Sequence, residues 1–130
     1  MFELLNLVVY ASILTFVAIL LGAFLSNRDW TTEGMQSVLS NRDKLPEATP
    51  LGGRAERAAA NSIEALVLFV PLAVVAHLVG KDADVLLGAQ VFFCARVAYL
   101  PTYLVGIVYL RSLVWIVGVV GLAMMVAALL

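Results

Sequence analysis

The chain has 130 residues, of which 63% are hydrophobic, and its mean hydropathy of +1.02 is far above that of a soluble domain. The net charge of −1 argues against a nucleic-acid partner, because phosphate binding requires a concentrated basic patch. A single cysteine, Cys94, excludes an internal disulfide and any relay built on paired thiols. These properties indicate a single membrane-embedded domain.

Long apolar segments predict an all-α integral membrane protein with four transmembrane helices. The first segment lies between acidic Glu3 and basic Arg28, the reverse of the charge order of a signal peptide, so we expect it to be retained. The long polar segment that follows ends in helix breakers, Pro50 and the pair Gly52-Gly53. The predicted helices span about 3–26, 53–80, 84–106 and 110–130, with a loop at about 27–52.

The positive charges predict the orientation of the chain. Cytoplasmic connections carry an excess of lysine and arginine, and only Lys81 lies on the opposite face from the other cations. We therefore expect both termini outside and the loop at 27–52 in the cytoplasm, with Trp30 as an interfacial anchor. The cations on the predicted cytoplasmic side are Arg28, Arg42, Lys44, Arg54, Arg57, Arg96 and Arg111.

The second predicted helix carries a polar stripe. Arg57, Asn61 and Glu64 are spaced i, i+4 and i+7, which places all three on one face. A spanning helix that ends at Gly80 needs ~20 residues and must reach back to about Asn61, so Glu64 lies inside the membrane. Because polar groups are costly in lipid, this face must meet protein, water or a ligand.

A second stripe follows on the third helix, where Arg96, Tyr99 and Tyr103 are spaced i, i+3 and i+7, and Arg111 begins the fourth helix. Two interpretations are open. In the first, Glu64 pairs with Arg96 across helices two and three, and the remaining arginines extend to lipid headgroups. In the second, the two stripes bind a ligand.

The ligand interpretation favours a small anionic molecule with one cationic group. Guanidinium groups bind carboxylates through paired hydrogen bonds, and Glu64 offers a counter-charge to an ammonium group. Glutathione has this set of charges. A guanidinium beside its thiol, whose ordinary pKa is ~8.5, would favour the reactive thiolate, and Arg111 or a tyrosine hydroxyl is the candidate source. No metal site is predicted, because His77 and Cys94 are isolated in the sequence.

The motifs Arg57-x3-Asn61-x2-Glu64 and Arg96-x2-Tyr99-x3-Tyr103, followed by Arg111, resemble those of the MAPEG family, membrane-associated proteins of eicosanoid and glutathione metabolism. The resemblance covers nearly the whole chain. It implies a homotrimer that binds glutathione as a co-substrate between neighbouring subunits, with Arg111 activating the thiol. The residues that it implies hold the peptide are Arg54, Arg57, Asn61, Glu64, Arg96, Tyr99 and Tyr103.

The resemblance implies a membrane-embedded, glutathione-dependent transferase or peroxidase that acts on a lipophilic electrophile arriving through the bilayer. The apolar half of the site is expected between subunits, among helices one and four. Similarity to short bacterial-type members of the family implies a location in the bacterial inner membrane. One alternative is a small four-helix transporter, although such proteins place a carboxylate in the first span and this chain has none there. Another is a catalytically silent membrane protein that keeps the fold and its charge network.

Overall fold

The computed structural model describes residues 3–27 and 49–130, and within these ranges the chain is helical with short connections. Each of the four helices is long and apolar enough to cross a membrane, which confirms the predicted fold class. Most of the loop predicted at about 27–52, namely residues 28–48 with Arg28 and Trp30, lies outside the described residues. The helices are α1 (Leu4–Asn27), α2 (Pro50–Leu78), α3 (Asp82–Val105) and α4 (Val108–Leu129).

The start of α2 at Pro50 precedes the predicted start at 53, because the local sequence forms a good helix N-terminus. The side chain of Thr49 accepts a hydrogen bond from the backbone N–H of Gly52 at 3.0 Å, as an N-cap residue does. Proline suits the first helical position, where its missing N–H is not needed. The Gly52-Gly53 pair therefore lies in the first turn of α2 instead of interrupting the chain.

Tight turns at two glycines with positive φ bring α2, α3 and α4 side by side. Gly80 (φ 73°) lies between α2 and α3, and Gly106 (φ 88°) ends α3. The side chain of Arg54, near the start of α2, donates from Nε to the backbone oxygen of Leu104 at 3.0 Å. This bond satisfies a carbonyl that the end of α3 leaves without a helical partner, so it holds the two helix ends together.

Close helix packing depends on small residues. A Cβ atom added to Gly121 of α4 would lie 2.6 Å from the backbone nitrogen of Phe92, and one added to Gly88 of α3 would lie 2.7 Å from the carbonyl oxygen of Gly121. On α1, a Cβ atom at Gly22 would lie 3.3 Å from the carbonyl oxygen of Ala55. Lipid supplies little hydrophobic drive between helices, so such close approach is a principal source of packing energy.

The tightest packing therefore joins α1 to α2 and α3 to α4, whereas α2 and α4 approach each other at few points. The core is closed by Phe69 of α2 and Phe92 of α3, whose rings stack with centroids 4.5 Å apart. A gap between α2 and α4 is lined by residues of α2, α3 and α4, among them most of the polar residues that the sequence placed on two stripes.

Candidate functional site

Arg96 fastens α3 to α2. Its guanidinium is buried, with Nη1 donating to Asn61 Oδ1 at 2.8 Å and Nη2 donating to Ser62 Oγ at 3.2 Å. The Ser62 hydroxyl donates in turn to the carbonyl oxygen of Ala58 at 2.8 Å. Both acceptors of Arg96 belong to α2, so the position of this cation is set by two fixed partners.

Two tyrosine rings connect Arg96 to the other arginines. The Arg96 guanidinium carbon lies 4.2 Å from the ring centroid of Tyr99, and that of Arg111 lies 4.7 Å from the centroid of Tyr103. Both separations fit cation–π contacts. The two rings are 5.4 Å apart, and Arg57 Nε donates to the Tyr103 hydroxyl at 3.2 Å. The structure thus brings residues of α2, α3 and α4 into one cluster.

The pairing of Glu64 with Arg96, which the sequence left open, does not form. Arg96 donates to Asn61 and Ser62 instead. Between residues 3–27 and 49–130 the ion pair is that of His77 with Asp82, whose Nδ1 and Oδ2 atoms lie 3.0 Å apart beside the α2–α3 turn. Glu64 therefore has no cationic partner in the described chain, although it lies near the middle of a membrane-spanning helix. An unpaired carboxylate at that depth is costly unless it faces water or a ligand.

Two cavities occupy the gap between α2 and α4. The first, here called the tyrosine cavity, has a volume of about 270 Å³. The second, the phenylalanine cavity, lies deeper, has a volume of about 160 Å³ and includes Phe92 in its wall. The tyrosine cavity is lined by Asn61, Tyr99, Tyr103, Arg111, Ser112 and Trp115. The phenylalanine cavity is lined by Asn61, Glu64, Ala65, Leu68, Phe92, Arg96, Trp115, Gly118, Val119 and Leu122.

Because Asn61 and Trp115 belong to both linings, the two cavities are adjacent, and together they are here called the groove. Most of the residues expected at the site line this groove. Arg54 and Arg57 do not: Arg54 binds the end of α3, and Arg57 contacts the hydroxyl of Tyr103. The expected residues that line it are Asn61, Glu64, Arg96, Tyr99, Tyr103 and Arg111.

Sequence reasoning missed three residues of the cluster: Ser62, Ser112 and Trp115. Ser62 follows Asn61 directly, and helical spacing alone did not show that the Arg96 side chain would reach both. Trp115 is four residues after Arg111 and so shares its helix face. That spacing was the available signal for Trp115. No group of three or more histidine, cysteine or carboxylate side chains forms a cluster within the described ranges.

The four long apolar helices define a polytopic membrane protein, and arginine side chains are part of the lining of the groove between α2 and α4. The model of the MAPEG family matches residues 4–130, nearly the whole chain. The chain belongs to the MAPEG family, as the motifs on its second and third helices indicated. It has no significant match among curated protein sequences or among solved structures.

Proposed function

We propose that this protein is a membrane-embedded, glutathione-dependent transferase or peroxidase that activates a thiol against a lipophilic electrophile. One observation carries the proposal. Arg111 lies on the wall of the tyrosine cavity, and its recorded contact is the ring of Tyr103, with no carboxylate paired to it in the described chain. A guanidinium in a membrane helix that faces a cavity without a counter-ion offers a site for an anion.

The charges of the groove suit glutathione. Its carboxylates match the guanidinium of Arg111, and its ammonium group matches Glu64, which has no cationic partner in the described ranges. The hydroxyls of Tyr99 and Tyr103 add hydrogen-bond donors along the same wall. In this arrangement Arg111 stabilises the negative charge of the thiolate.

Two reactions of the glutathione thiolate are consistent with this arrangement. In transfer, the thiolate sulfur forms a bond to an electrophilic carbon after the thiol proton has passed to water. A leaving group departs with its bonding electrons, or, where the electrophile has none, the displaced electron pair takes up a proton from water. In peroxide reduction, two thiols are oxidised to a disulfide while the hydroperoxide is reduced to an alcohol and water. Both reactions need a thiolate, and the groove is proposed to supply it.

Family membership supports a homotrimer in which a neighbouring subunit closes the groove. The Gly106 end of the groove is the end that the distribution of lysine and arginine assigns to the cytoplasm. We therefore place the glutathione site near the cytoplasmic face of the bacterial inner membrane, with the electrophile supplied from the bilayer.

The decisive experiment is a titration of glutathione into the detergent-solubilised protein, with thiolate formation followed by ultraviolet absorbance at neutral pH. We expect a saturable signal that Arg111→Ala removes. Lys81→Ala is the matched control, because it also deletes a cation, and Lys81 lies at the opposite end of the helices, where it donates to the backbone of Ala128. Binding without thiolate would point to a silent family member. Absence of binding would overturn the proposal and favour a transporter.

A further inference from the structure

The phenylalanine cavity gives the proposed reaction a size limit. We infer that this cavity binds the electrophile, and that it admits a neutral, lipid-soluble group about as large as one aromatic ring. The inference rests on the proposed function, and it concerns the second substrate, which the charges of the tyrosine cavity do not define.

The two cavities lie next to each other, because Asn61 and Trp115 line both. A group in the phenylalanine cavity is therefore close to a thiolate in the tyrosine cavity. Arg111, Trp115 and Gly118 follow at i, i+4 and i+7 on one face of α4. Gly118 is therefore about 10 Å along the helix from the residue proposed to hold the thiolate.

The volume of the phenylalanine cavity, about 160 Å³, limits the size of the group that it can hold. An apolar protein cavity of about 150 Å³ holds benzene, whereas sites for drug-sized molecules occupy roughly 300–1,000 Å³. One ring, or a short alkyl group of similar volume, fits within this cavity. A second fused ring or a long acyl chain would have to remain outside.

Gly118 lines the cavity, and the packing of α4 on α3 does not require glycine at this position. A Cβ atom added there would meet only the Cβ of Ala95, at the ordinary contact distance of 3.6 Å. At Gly121, one turn further, an added Cβ would lie 2.6 Å from a backbone nitrogen. Packing thus requires glycine at 121 but accommodates a methyl group at 118. Because Gly118 lines the cavity, a larger side chain there is expected to reduce the volume of the cavity.

The charged groups of this cavity already have partners: Glu64 meets the ammonium group of glutathione in the proposed complex, and the Arg96 guanidinium donates to Asn61 and Ser62. Most of the remaining lining is apolar. An anionic group would find no free counter-charge here, which is costly in a medium of low dielectric constant. Leu68 and Val119, on the outer edge of the cavity, are 58% and 41% exposed respectively. In the single chain the cavity therefore opens between α2 and α4, and its lining suits a neutral group better than an anionic one.

Binding can be measured without turnover. In a Trp30→Phe background Trp115 is the remaining tryptophan, and meta-dinitrobenzene, a one-ring compound without a leaving group, should quench its fluorescence saturably. We expect Gly118→Leu to weaken this binding by at least about tenfold, because it fills the cavity. Ala123→Leu adds a similar bulk to an exposed position of α4 outside both cavities and should leave binding unchanged.

Gly118→Ala provides a second variant in case the leucine variant does not fold, because its methyl group meets only Ala95. We expect it to reduce affinity for dinitrobenzene by a smaller factor. Helical circular dichroism and elution volume verify that each variant is folded. Unchanged affinity for dinitrobenzene in both Gly118 variants would overturn the inference, even if glutathione thiolate forms normally. Conversely, binding that depends on Gly118 in a protein that forms no thiolate would retain the ring site and remove the proposed transferase.

The size limit is tested by rate. With glutathione, chlorodinitrobenzene should react by loss of chloride, as the C–S bond forms, the C–Cl bond breaks and the thiol proton is released. A chloronitronaphthalene and a long-chain alkenal should react more slowly relative to their uncatalysed rates. Gly118→Leu should lower the one-ring rate without changing the glutathione titration. Equal acceleration of all three electrophiles would overturn the size limit.

Discussion

Arg96 and Arg111 are both arginines in membrane-spanning helices beside a tyrosine ring, yet they are held in different ways. Arg96 is 7% exposed and donates to two side chains of α2 at 2.8 and 3.2 Å. Arg111 is partly exposed, lines a cavity and contacts the face of Tyr103. The comparison separates two roles for the same residue type: a cation whose donors bind the protein holds helices, and a cation whose donors face a cavity is available to a ligand.

Among these variants, the largest loss of stability is expected from removal of Arg96, the arginine whose donors bind α2. Arg96→Ala leaves Asn61 and Ser62 without their donor and frees α2 from α3, so we expect a loss of about 1–3 kcal/mol of stability. Denaturation with sodium dodecyl sulfate, followed by circular dichroism, measures it. Stability equal to the wild type would show that the two hydrogen bonds contribute nothing in the membrane environment.

A smaller effect is expected from Ser62→Ala, which deletes only the acceptor of Arg96 Nη2. One hydrogen bond between membrane helices contributes about 0.6 kcal/mol, so the same denaturation assay should show a loss near that size. Ser112→Ala is the control, because the Ser112 hydroxyl donates within its own helix to Val108 and has no recorded partner on another helix. A loss as large as that of Arg96→Ala would mean that Ser62 acts beyond this one bond.

Arg111→Ala should change stability still less, because the interaction removed is one cation–π contact of about 0.5 kcal/mol at a partly exposed site. Its functional effect should be large, with loss of the glutathione thiolate signal in a protein that keeps its oligomeric state. Light scattering coupled to gel filtration measures the latter. If assembly is lost together with the signal, Arg111 is a structural residue like Arg96, and the contrast between the two fails.

Glu64→Gln is expected to leave stability almost unchanged, since no cation in the described chain pairs with this carboxylate. Affinity for glutathione should fall by about tenfold, the value of one charge-assisted contact. Calorimetric titration with glutathione and with a derivative that lacks the amino group separates the causes, because the variant should bind the two alike. An unaltered affinity for glutathione would remove Glu64 from the site.

Sequence periodicity predicted the four helices and the faces on which Arg57, Asn61 and Glu64 and their counterparts on α3 lie. It did not predict which residues of α2 would accept hydrogen bonds from Arg96. Spacing fixes the direction of a side chain around its own helix, but the partner depends on the axial offset and rotation between helices. These are set by contacts such as that of Gly88 with Gly121, which only the folded chain displays.

The phenylalanine cavity could not be predicted from the sequence for a related reason. Its volume comes from side chains that are small, at Ala65 and Gly118, and small residues occur in membrane helices for packing as well. The surroundings of Gly118 and Gly121 in the folded chain distinguish a glycine that lines a cavity from one that close packing requires. The start of α2 was misplaced because Pro50 and Gly52 were interpreted by their intrinsic tendencies, although Thr49 caps the helix that contains them.

The groove draws its lining from α2, α3 and α4, and none of the described side chains of α1 lines either cavity. Within one chain, the first helix therefore differs from the other three in having no direct part in the groove. Changes in α1 are constrained where it lies against α2, as at Gly22, and by the thickness of the bilayer that it must cross. A substitution on α1 away from its contacts with α2 is therefore expected to leave the lining of the groove within its own chain unchanged.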